Sequence, residues 1–170
     1  LEADPASLEF RLGPHGKPAL LQKAGRGVLS FNVSHSAGVA LYAVTWNRPV
    51  GIDVEWCRRK IDYLGLARRF FTTAEAQALD VLPDKARAEA FFTLWTCKEA
   101  YLKAVGRGLT LPMNWVEVSL ETGGRPTLKR IDGEESAAQR WSCLRLSPGS
   151  DYVAALVVEG HNWHINGFSV

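Results

Sequence analysis

Polar and apolar residues alternate in several short stretches of this chain, and between them lies one long run with a helical period. Val28 to Val33 alternates with Phe31 and Val33 on one face, which predicts a strand. Ser34 to Gly38 reads as the turn after it, and Val39 to Thr45 as a second, largely apolar strand. Val50 to Glu55 predicts a third. Residues two apart share a face, so Asp53 and Glu55 point one way and Val50, Ile52 and Val54 the other. Asp62 is placed to cap a helix running to about Phe70, and Thr72 with Glu75 has the spacing of a capping box that starts another. Pro83-Asp84 ends that helix. Asp84 then caps a long one from Lys85 to about Val105, stopped by Gly106 and Gly108 with Pro112 beyond. From Trp115 the pattern returns to strands. Trp115 to Glu121 and Pro126 to Ile131 flank Thr122-Gly-Gly-Arg125, a hairpin signal. Trp141 to Leu146 turns at Pro148-Gly149 into Tyr152 to Val158, and a last strand runs from Trp163 to the end. Ser36 to Val44 resembles Ser150 to Val158, a hint of internal duplication. Antiparallel strands with intervening helices predict an α+β fold.

Composition narrows the class. A chain of 170 residues with 46% hydrophobic content can bury a core as one domain or two small lobes. Lys plus Arg is 20 against 18 Asp plus Glu, a formal charge of +2 that is too mild for a dedicated nucleic-acid binder. Cys57, Cys97 and Cys143 are odd in number and lack a CxxC pair, which argues against a disulfide framework or zinc knuckle and for a reducing cytoplasm. No apolar run has the length of a membrane span, and no signal-peptide pattern opens the chain. It begins at Leu1 rather than Met, as a fragment or a processed form would.

The candidate chemistry sits in two segments. Asp53 and Glu55 on one strand face are either a solvated polar face or a pair whose mutual repulsion a divalent cation relieves. Gly51 on that face leaves room, and Mg²⁺ favours one or two carboxylates with phosphate oxygens and water. In the long helix the apolar stripe runs Phe91, Trp95, Leu102, and Glu99 interrupts it. A carboxylate there is costly unless it is paired or binds a metal. The bland account, an ion pair with Lys103 four residues on, is worth only about 0.2–0.5 kcal/mol when exposed. Glu75 reads first as the capping-box acid. Lys17, in the loop Gly13-Pro-His-Gly-Lys-Pro18, is either a solvated turn residue or a phosphate contact. His35 between Ser34 and Ser36 does not make a serine hydrolase, because no Gly-x-Ser-x-Gly elbow is present. His161 and His164 lack a third metal ligand and read as surface or strand residues. Arg58-Arg-Lys60 and Arg68-Arg69 read as solvated charge or as a dock for an acidic partner.

Five motifs occur in order: Gly16-Lys-Pro18, Phe31-Asn-Val-Ser-His-Ser36, Val50-Gly-Ile-Asp-Val-Glu55, Phe71-Thr-Thr-Ala-Glu75, and Trp95-Thr-Cys-Lys-Glu-Ala-Tyr-Leu-Lys103 followed by Gly106-x-Gly108-Leu109. Together they resemble the 4′-phosphopantetheinyl transferases of the surfactin-synthetase-activating type. The resemblance implies two similar lobes related by a pseudo-twofold: residues 1–48, a first lobe shortened at its N-terminus, and 49–170, a second lobe carrying the metal site. It implies a monomeric, cytoplasmic enzyme that moves phosphopantetheine from coenzyme A to a serine of an acidic acyl or peptidyl carrier protein, with no role for nucleic acid or membrane. By matching position, Asp53, Glu55 and Glu99 would bind Mg²⁺, with Mn²⁺ as a substitute. Glu99 would also deprotonate the serine, and Lys103 would contact the coenzyme A phosphates. Lys17, Ser34, His35 and Lys98 would help to hold coenzyme A, with His35 near its phosphates. The rival readings are a non-catalytic module that binds coenzyme A or a carrier, and a metal-dependent nucleotide pyrophosphatase.

Overall fold

The computed structural model describes residues 4–21, 27–58, 60–121 and 123–169. The chain opens with a short 3₁₀ turn, Pro5–Ser7, and a small hairpin of β1 (Phe10–Leu12) and β2 (Pro18–Leu20). The Gly-Pro-rich loop is the tip of that hairpin, closed where the Gly13 N–H donates to the Lys17 carbonyl at 2.8 Å. A longer hairpin follows, β3 (Leu29–Ser36) and β4 (Val39–Trp46), and then β5 (Val50–Trp56). Here the sequence expectation needs correcting. Ser34 to Ser36 belong to β3, and only Ala37 and Gly38 turn, at φ of 43° and 89°. Two successive left-handed residues make the tight turn whose twist suits a hairpin, so no longer loop is required.

Helices α1 (Tyr63–Phe70) and α2 (Thr73–Asp80) start as expected. Asp62 accepts from the Gly65 N–H, and Thr72 and Glu75 exchange both bonds of a capping box. The long helix α3 (Asp84–Val105) differs at its start: Pro83 is the cap, and Asp84 is already helical, ion-paired with Arg87 at 2.8 Å. Pro83 brings no side-chain acceptor, and the acid at the positive end of the helix dipole is Asp84 in the first turn. Gly106, at φ 69°, closes α3 in the left-handed conformation that glycine tolerates. After two 3₁₀ turns come β6 (Val116–Leu120), β7 (Pro126–Ile131), the short α4 (Glu135–Ala138), β8 (Trp141–Leu146) and β9 (Tyr152–Glu159). Thr122, in the β6–β7 connection, lies outside the described residues, as does Arg59 of the basic cluster. The strand expected from Trp163 is not formed over residues 163–169. Central β9 already has β5 on one edge and β8 on the other, so no inner edge is left for it.

Helix α3 lies against β5 and β9 and from Ala90 to Ala104 is buried nearly all round. Phe91, Phe92, Leu94, Cys97, Ala100, Tyr101, Leu102 and Ala104 belong to the main core, together with Val153, Ala155 and Val157 of β9. Phe91 stacks on Phe71 and Trp95, with ring centroids 5.3 and 5.8 Å apart. The opposite face of the β5–β9 sheet carries Val50, Ile52, Leu156 and Val158, which pack on Ala43 of β4. Gly51 is where α3 comes closest: a Cβ there would stand 1.9 Å from the Ala100 carbonyl oxygen and 2.5 Å from the Ala104 nitrogen. The outer face of the β3–β4 hairpin leaves Tyr42, Val44 and Trp46 exposed. Among the described residues no helix is long and apolar enough to cross a membrane.

Candidate active site

Strand alternation turns Gly51, Asp53 and Glu55 towards α3, and one helical turn stacks Glu99 and Lys103 towards the strand. The Lys103 ammonium lies 2.6 Å from Asp53 Oδ1 and 3.0 Å from Ser34 Oγ. Ser34 donates to the same Asp53 oxygen at 3.0 Å. Asp53 is only 5% exposed, and its second oxygen, Oδ2, is buried without a hydrogen bond. Burial pushes the Asp53 carboxyl above its ordinary value, against the pull of Lys103 and Ser34, and the Glu55 charge pushes it the same way as burial. Glu99 is half-buried. Its carboxyl is raised by burial first and then by Asp53, with Lys103 opposing and Glu55 adding. Two raised carboxyls, Asp53 and Glu99, with the Glu55 charge beside them and one ammonium among them, form a site short of positive charge.

That donor set fits a hard divalent cation: carboxylate oxygens only, one of them buried and unpartnered. The acids are neighbours rather than a finished cage, since among the described residues no three metal-ligating groups stand together at ligand distance. The Lys103 ammonium takes Asp53 Oδ1 and leaves Oδ2 without a partner.

The remaining expected site residues fall elsewhere. Lys98 lies apart from the acid cluster, paired with Glu75. Its side chain is fully buried, 2.8 Å from Glu75, donating to the Met113 and Val116 carbonyls and lying over the Phe71 ring. At about 100° per residue it is turned a quarter-circle or more from Glu99. Burial lowers its ammonium below the ordinary lysine value, with Glu75 opposing. Glu75 itself ties α2 to β6 by accepting from the Val118 N–H at 2.7 Å. Lys17 is likewise committed: its ammonium donates to the Val50 and Ala104 carbonyls at 3.0 and 2.9 Å, and burial pushes it down to about 8. His35 is exposed, on the face of β3 opposite Ser34. His161 and His164 are exposed near the chain's end, as read from the sequence.

Sequence reasoning missed Asn32 and Ser36. Both project from the same face of β3 as Ser34, and Ser36 donates to Glu55 Oε2 at 3.3 Å. The polar alternation Asn32-x-Ser34-x-Ser36, interleaved with Phe31, Val33 and His35, was the available signal. A cleft of about 670 Å³ lies on the other side of α3, among Leu79, Leu82, Leu94, Val118 and Leu120, and none of the acid cluster lines it.

The 4′-phosphopantetheinyl transferase superfamily profile matches residues 49–157, which hold β5, α3 and every acid of the cluster. This chain belongs to that superfamily. Among curated members, the 4′-phosphopantetheinyl transferase HetI of a Nostoc species is 39% identical over 163 residues, 96% of this chain and 65% of HetI. The 4′-phosphopantetheinyl transferase Sfp of Bacillus subtilis is 30% identical over 131 residues, 77% of this chain and 56% of Sfp. The chain thus spans less than two thirds of the length of these relatives. A holo-(acyl-carrier-protein) synthase from Bacillus anthracis, solved in complex with coenzyme A (3′,5′-ADP), superposes with a TM-score of 0.52 at 25% identity. The match covers 66% of this transferase-superfamily chain and 96% of the synthase. A synthase from Neisseria meningitidis shares the fold at a TM-score of 0.52 and 20% identity.

Proposed function

We propose that this chain transfers the 4′-phosphopantetheine group of coenzyme A to a serine of an apo acyl or peptidyl carrier protein, releasing adenosine 3′,5′-bisphosphate. The carrying observation is the cluster of Asp53, Glu55, Glu99 and Lys103, with Asp53 Oδ2 buried and unpartnered. Asp53, Glu55 and Glu99 would hold Mg²⁺, or Mn²⁺ in its place. When bound, the ion would neutralise the diphosphate and hold it for in-line displacement. Glu99, its proton affinity raised by burial, takes the proton of the serine hydroxyl, directly or through water. The serine oxygen then attacks the phosphorus that bears pantetheine, and the bond to the bridging oxygen breaks. Lys103 faces the charge left on the departing phosphate, with Ser34 beside it. His35, which is exposed, would lie near the coenzyme A phosphates.

The motif order supports the surfactin-activating type, and Arg68 and Arg69, both exposed, suit an acidic carrier. Residues 1–48 and 49–170 serve as the two lobes of a cytoplasmic monomer, with the acids on the second and Ser34 reaching in from the first. The test mixes the protein with coenzyme A, Mg²⁺ and apo carrier, and weighs the carrier by mass spectrometry. The phosphopantetheine increment is expected, and Asp53→Ala and Glu99→Ala should lose it while remaining folded. Coenzyme A cleaved without a carrier would replace this reading with a pyrophosphatase. Binding without turnover would replace it with a binding module.

A further inference from the structure

For β5, three side chains of β3 take the place of a neighbouring strand. The β3–β4 pair and the β5–β9–β8 sheet share no backbone ladder. Asn32 Oδ1 instead accepts the Ile52 N–H at 2.8 Å, Ser34 Oγ the Val54 N–H at 3.2 Å, and Ser36 Oγ the Trp56 N–H at 3.2 Å. Alternate residues of β3 thus meet alternate N–H groups along one edge of β5, leaving the side chains between them, Asp53 and Glu55, turned to α3.

We propose that Ser36 is the positioning residue for Glu55, and Ser34 its counterpart for Asp53, so that this comb aims the two carboxylates as cation ligands. The inference rests on the metal-dependent reading above. A hydroxyl has one proton to give and two lone pairs. Ser36 accepts the Trp56 N–H, so its oxygen is pinned to the strand and its proton is free for Glu55, 3.3 Å away. Ser34 is saturated: it donates to Asp53 and accepts from the Val54 N–H and from Lys103. Each serine couples the carboxylate to the backbone N–H one residue on. Asn32 makes the same strand contact without touching either acid, so it is an internal control.

Binding of Mn²⁺ alone is measured by electron paramagnetic resonance, alongside the melting temperature, for wild type, Ser36→Ala, Ser36→Thr, Asn32→Ala and Asp53→Asn. Ser36→Ala is expected to raise the Mn²⁺ Kd by about tenfold, the lower range for loss of a group that orients a metal ligand. Ser36→Thr, which keeps the hydroxyl, should restore wild-type binding. Asn32→Ala should melt earlier and yet bind Mn²⁺ as wild type does. If Ser36→Ala does not fold, Ser36→Cys, a weaker donor of similar shape, should show a smaller rise in Kd. Unchanged Mn²⁺ binding in the Ser36 variants, with binding lost in Asp53→Asn, overturns the positioning role alone. So does equal weakening by Asn32→Ala. Wild-type protein that binds no Mn²⁺, or binding that Asp53→Asn leaves intact, removes the metal reading and this inference with it.

Discussion

Burial raises both the Asp53 and the Glu99 carboxyls; the Glu55 charge adds to both, and the Asp53 charge adds to Glu99. A carboxyl raised above its unfolded value contributes stability below that value and loses it as pH climbs through the folded one. For Glu99 the loss therefore begins above about 4.5. Glu99→Gln cannot ionise, so metal-free calorimetry should find little difference from wild type near pH 4 and a higher melting temperature for the variant by pH 8. Added Mg²⁺ should stabilise wild type and not the variant. Transfer should fall by about 10²-fold or more, the usual worth of a positioned base. Gly51 belongs to the same scale. Gly51→Ala would drive a methyl into the α3 backbone at Ala100 and Ala104, where no side chain can swing aside. Overpacking of this kind costs about 1–3 kcal/mol or more, to be read in a denaturant midpoint, and it should displace Glu99 and Lys103 from β5.

Among the elements, α3 carries the most instructive contrast. Lys98 and Glu75 are buried together between α3, α2 and β6. Lys98→Met strands the acid and should cost about 3–5 kcal/mol, whereas Lys98→Met with Glu75→Gln should recover most of it; chemical unfolding of the two variants checks this. The sequence made α3 legible as a helix, and Glu99 as an oddity on its apolar stripe, because one face was enough for that. It did not reveal Lys98 as a core residue, since nothing in a one-stripe reading says that a helix is covered on every side. The capping box at Thr72 and the alternation in β5 were legible because both are local. The extent of β3 was not. Ser34 and Ser36 look like turn residues until a strand edge some 20 positions later gives their hydroxyls N–H groups to accept. The Lys17 contacts were hidden for the same reason, its partners lying at Val50 and Ala104.

At the scale of the molecule, charge decides how a partner is met. Arg58, Arg68 and Arg69 are all exposed, Arg58 paired with Asp151 at 2.8 Å and Arg68 more loosely with Asp80 at 3.8 Å, while Arg69 lies over the Phe70 ring. Arg68→Glu with Arg69→Glu should lower kcat/KM for an acidic carrier at low salt by slowing encounter, leave kcat nearly unchanged, and lose its effect as salt rises; steady-state rates across a salt series check it. The strap made by Lys17 has a reach of another kind. Its ammonium grips the first residue of β5 and the last turn of α3 together, and its stem lies against Gly106. Trimming or nicking the opening hairpin would therefore loosen the turn that presents Lys103 to the acids, so the injury would be felt far along the chain from the cut.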